Sequence, residues 1–96
     1  MQIRVIGIPW YRAEDYDTMR RMFVDSKNFH KTFQGWHDAA SDLFDRLSTP
    51  RHVVVKVLIE PQTFRAWCEA RAKVLDSRAR TEFANECARE VTKLQG

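Results

Sequence analysis

The side chains with the chemistry to bind a metal or attack a substrate are His30, His37, His52, Cys68 and Cys87. A zinc half-site needs two ligands a few residues apart, as in C-x2-C or H-x3-H, and no two of the five are spaced that way. His30 and His37 lie seven apart, which would separate them by ~10 Å along a continuous helix axis, so no metal site is expected. A reactive thiol wants nearby cations and exposure. Cys68 and Cys87 sit among apolar neighbours and read as small buried hydrophobes, even if an antiparallel helix pair about Asp76-Ser77 brings them level. Asp38, Asp42 and Asp45 recur at i, i+4 and i+7, a row able to attract a cation or a basic partner. With Arg46 and His37 beside it, the row reads as a solvated helix face. No catalytic residue and no cofactor is expected.

Trp10-Tyr11-Arg12 follows the first strand-like run directly, where the chain leaves the sheet. Two amphipathic aromatics and an arginine bring contact area with few rotors plus a directional donor, the types enriched at binding hot spots. These three are the candidate binding residues; the competing reading is that Trp10 covers the end of the core beside Pro9. Arg12, Arg20, Arg21, Arg78 and Arg80 offer a second surface, for nucleic acid, but acidic neighbours such as Asp15, Asp17, Glu82 and Glu86 break up every basic cluster. Phosphate binding rewards basic residues gathered on one face, so that partner is not favoured. A small enzyme with its site near Trp10 to Arg12 is the other alternative; phosphate loops and nucleophile elbows are absent from the sequence.

The elements that must position these residues follow from periodicity. Ile3 to Ile8 and Val53 to Ile59 are β-branched runs, each followed by a proline and two helix-like stretches. Pro9 is expected to end the first strand by withdrawing a ladder donor. Acidic residues before Arg20-Arg21 match a helix dipole, and Tyr16, Met19 and Phe23 would face the core. A second helix is expected from near Thr32 to Leu47, stopped by Ser48-Thr49-Pro50. Pro61 suits the first turn of a third helix, whose inner face is Phe64, Trp67, Cys68 and Arg71 or Ala72. Asp76 or Ser77 would cap a fourth, with Phe83, Cys87, Val91 and Leu94 as its stripe.

The expected fold is α+β or α/β, two strands and about four helices in a βαα-βαα order, in one domain over residues 1–96. Residues 1–48 and 52–96 can be laid over one another as two βαα halves, loosely enough that duplication and chance both remain open. At 96 residues the chain buries only ~60–65% of its unfolded surface, and two strands make a marginal sheet. The helices are expected to cover one sheet face, leaving the other face or an edge for assembly. The expected partner is a second copy pairing through the strand region, since most soluble oligomers are symmetric; another protein partner is a further option.

Composition sets the remaining bounds. With 44% hydrophobic and 30% charged residues, three Gly and three Pro, the chain is globular rather than disordered. The net charge of +3 is mild. No apolar stretch approaches the ~20 residues that span a bilayer, so a cytoplasmic location without membrane contact is expected. There the two cysteines would stay reduced.

Ile8-Pro9-Trp10-Tyr11, the later Trp36, Ile59-Glu60-Pro61, the Phe64 to Trp67-Cys68 spacing and Phe83-Ala84 together resemble a group of short uncharacterised bacterial proteins. The resemblance covers most of the chain and implies a bacterial, stand-alone domain. It implies no activity, ligand or catalytic residue.

Overall fold

A computed structural model describes residues 4–95 of the chain, with side chains described through Lys93. Strand β1 (Arg4–Trp10) pairs in parallel with β2 (His52–Leu58), Arg4 opposite His52 and Trp10 opposite Leu58. Ile3, expected to open the first strand, lies outside the described residues. Between the strands run α1 (Tyr16–Met22) and α2 (Phe33–Leu47); after β2 come α3 (Pro61–Ala70) and α4 (Ser77–Gln95). The fold is α+β with two strands and four helices among the described residues. No helix among them is long and apolar enough to cross a membrane.

The boundaries have local causes. The Thr32 hydroxyl accepts from the Gly35 N–H and caps α2. Pro61 occupies the first turn of α3, where its missing N–H is not needed. Asp76 accepts from the Ala79 N–H at 2.9 Å and caps α4. Helix α3 stops at Ala70 because Ala72 turns left-handed (φ 52°) and the Lys73 N–H closes onto the Cys68 carbonyl. Arg71 and Ala72, the two options expected for the end of the inner face, are therefore both exposed and lie beyond the helix.

Strand β1 does not end at Pro9, and the hydrogen-bond phase explains why. The Arg4 N–H donates to the Arg51 carbonyl and the Trp10 carbonyl accepts from Ile59. In a parallel ladder this alternation means that the even-numbered residues of β1 bond to β2. Odd-numbered residues, Pro9 among them, direct their backbone groups to the opposite edge, where a missing donor leaves no gap in the ladder.

The helices cover both sheet faces rather than one. On the odd face, α4 approaches so closely that a Cβ on Gly7 would lie 2.1 Å from the Ala84 carbonyl oxygen. On the even face, α2 brings Trp36 and His37 against Trp10, and Phe44 beneath Lys56. The core joins Tyr11, Tyr16, Met19, Phe23 and Trp36 to Ile59, Phe64, Cys68, Phe83 and Ala84. Arg80 of α4 is buried, its guanidinium forked onto Asp25 at 2.9 and 3.2 Å and stacked on Phe23, so α4 is pinned to the segment after α1.

Candidate functional site

Trp10, Tyr11 and Arg12 diverge into three environments. Tyr11 is only 3% exposed and packs edge-on against Tyr16, Phe29 and Trp36. Its burial pushes the phenol well above its ordinary range, against a partial opposing pull from Arg80. The neighbouring Tyr16 phenol, pushed up to about 12 by desolvation, donates to the His30 carbonyl. Both hydroxyls therefore stay protonated and serve packing.

Trp10 is half-buried on the even face, 5.1 Å from Trp36 and 5.6 Å from His37 between ring centres. The Lys56 ammonium sits 4.4 Å over the Trp10 ring and 4.7 Å over Phe44, which draws that charge onto its own helix-covered face. Arg12 is exposed and faces Asp15 at 4.0 Å. With Asp15, Thr18, Glu60 and Arg65 it lines a groove of ≈ 500 Å³ between α1 and the start of α3. This groove lies just beyond the carboxyl ends of the two parallel strands, the usual place for a ligand in open α/β sheets.

The other candidate groups are dispersed. Arg80, one of the five arginines considered for nucleic acid, is buried against Asp25. Asp42 pairs with Arg46 at 3.0 Å and Asp38 accepts from Gln34, so part of the carboxylate row is engaged along its own helix. Burial raises the thiols of Cys68 and Cys87, the direction opposite to activation. No group of three or more His, Cys, Asp or Glu side chains that could hold a metal ion occurs among the described residues.

The sheet edges carry the clearest asymmetry. At the outer edge of β1 the Gly7 N–H donates to the Asn85 side-chain carbonyl at 2.8 Å, and Pro9 has no N–H to offer. At the outer edge of β2 the same phase turns the backbone groups of Val54, Lys56 and Leu58 away from β1, and no described strand pairs with them. Val53 and Leu58 at the two ends of that strand are 41% and 39% exposed. Helix α4 packs mainly on β1 and so stands back from this edge.

No motif or spacing in the sequence marks Asn85 or Asp25. A glycine inside a strand does signal close backbone approach, so Gly7 was the available clue; its partner, 78 residues away, left none. Comparison with protein-family models, with curated proteins and with solved structures finds no match.

Proposed function

We propose that this chain is a small protein-interaction module that forms a homodimer through the outer edge of β2. The observation that carries this reading is the row of outward backbone groups at Val54, Lys56 and Leu58, beside a β1 edge already occupied by Asn85 and Pro9. An open edge recruits an extended strand, and a two-stranded sheet gains most from doing so. The reading accords with the resemblance to short bacterial proteins and with a cytoplasmic location, where the cysteines stay reduced.

The test is the solution mass by light scattering at tens of micromolar. A mass near twice 11.3 kDa is expected, falling to 11.3 kDa in Val54→Pro with the circular dichroism of the fold retained. That substitution deletes a donor directed at a partner and none directed at β1. A wild-type monomer overturns the reading.

A second reading, a small-molecule site, is favoured by the groove beside Arg12 and Arg65. It predicts that an anionic ligand raises the melting temperature of the wild type and not of Arg12→Ala. The nucleic-acid reading has less support, because Arg80 is committed to Asp25 and Arg12 faces Asp15.

A further inference from the structure

We infer that the two copies pair antiparallel, with Val55 facing Val55 of the second copy across the two-fold axis; this rests on the dimer reading above. Backbone phase limits the choices. In an antiparallel ladder the hydrogen-bonded pairs join residues whose backbone groups both point outward, and on β2 those are the even-numbered ones. Three registers near the strand centre satisfy that rule: Val54 opposite Val54, Val54 opposite Lys56, or Lys56 opposite Lys56.

Charge and overlap separate them. Placing Lys56 on Lys56 sets like charges directly opposite, which is destabilising. Placing Val54 on Val54 drives the end of β2 past the strand start, towards Pro50, and leaves Leu58 without a strand partner. Placing Val54 on Lys56 overlaps all 7 residues of each β2. It puts Leu58 against His52 on the even face, and Val53 against Val57 and Val55 against Val55 on the odd face. Both half-exposed ends of the strand are then covered. The Lys56 ammonium, drawn over Trp10 and Phe44, stays clear of the seam.

The second copy is the occupant because, among the described residues, the β2 edge is the one that neither a side-chain cap nor a proline obstructs. Two such edges close on each other about a two-fold axis, whereas a parallel, head-to-tail arrangement would reuse an edge that Asn85 and Pro9 block. The product is a four-stranded sheet in the order β1-β2-β2-β1. Both α4 helices lie on one face, set back over their own β1, and both α2 helices lie on the other.

Cysteine cross-linking reads the register directly. Facing residues in a non-hydrogen-bonded antiparallel pair have Cα atoms about 4.5 Å apart, within disulfide reach, and residues offset by two along the strand do not. Under mild oxidation Val55→Cys is expected to form a covalent dimer on a non-reducing gel. The wild type, whose Cys68 is buried and Cys87 partly so, is expected to stay uncross-linked. A mixture of Val53→Cys and Val55→Cys is expected to yield no mixed dimer. Each variant is first shown by mass and circular dichroism to match the wild type when reduced.

The failures are distinguishable. A wild-type dimer in which Val53→Cys links to Val55→Cys, while Val55→Cys alone stays free, overturns this register and leaves edge pairing standing. A wild-type dimer that cross-links in neither experiment overturns this register; a link between Val55→Cys and Val57→Cys then identifies the Lys56-on-Lys56 register, and its absence overturns pairing through β2. A wild-type monomer removes the dimer reading and this register with it.

Discussion

Along the β1 edge the strand is closed by devices that act within a few residues of one another, whereas along β2 the equivalent groups face outward with none. Gly7 lacks the Cβ that would hold α4 away, Asn85 on α4 accepts the Gly7 N–H, and Pro9 has no donor to expose. On β2 the corresponding outward positions are Val54, Lys56 and Leu58. The one charge among them, which on an edge strand would repel an incoming partner, is drawn onto the aromatic face. The contrast teaches that one helix can decide which edge of a small sheet is available. Helix α4 is held over β1, and its N-terminal turn is anchored by Asp25, which accepts from the Ser77 N–H as well as from Arg80.

The largest effect is expected where the close approach is broken. Gly7→Ala places a methyl 2.1 Å from the Ala84 carbonyl oxygen, so α4 must move off the strand. We expect a loss of about 3 kcal/mol, a fall in melting temperature of about 15 °C for a domain of this size, read by calorimetry. A melting temperature within a degree or two of wild type would mean that α4 is not seated on β1 as described.

Removing the anchor should rank next. Asp25→Ala leaves the buried Arg80 guanidinium without its partner, at a cost of about 3 kcal/mol at neutral pH. The Arg80 hydrogen bonds hold the Asp25 carboxyl below its usual value of 3.8, ahead of the opposing effect of burial. A folded-state value below the unfolded one stabilises the protein above the unfolded value, and the contribution is lost as pH falls through the folded value. Wild type should therefore lose stability below about pH 4, while Asp25→Asn, less stable at neutral pH, should show a flatter acid limb in urea titrations.

Asn85→Ala tests the edge cap alone. It leaves the Gly7 N–H without its acceptor in a part-buried site, which costs about 1–2 kcal/mol. Hydrogen exchange at the Gly7 amide should accelerate while the amides of β2 that donate to β1 keep their protection relative to global stability. Unchanged Gly7 exchange would show that the amide is shielded without Asn85.

The smallest effect sharpens the other edge. Lys56→Ala gives up an exposed cation–π contact of about 0.5–1 kcal/mol. Its charge is already held over the aromatic face and clear of the seam, so the dimer should dissociate at nearly the wild-type concentration in a dilution series followed by light scattering.

Much of the architecture was legible in short stretches of chain. The Tyr16, Met19, Phe23 stripe is buried, α2 starts beside Thr32 as expected, Asp76 is the one of the two expected residues that caps α4, and Pro61 starts α3. Two local rules failed in instructive ways. The missing donor of Pro9 predicts a strand end, but the strand continues since that donor would have pointed at an edge. Adjacency groups Tyr11 with Trp10 and Arg12, and the turn out of the sheet sends it into the aromatic core instead.

The sequence by itself determined which segments are helix and strand, because hydrophobic period, caps and prolines act over a few residues. It also set the aromatic and aliphatic stock of the core. Only the tertiary structure decided that the strands run parallel, that helices cover both faces, and that one sheet edge is filled and the other open. Those outcomes depend on contacts between residues far apart in the chain, Gly7 with Asn85 and Asp25 with Arg80, whose geometry exists only once α4 has docked across β1.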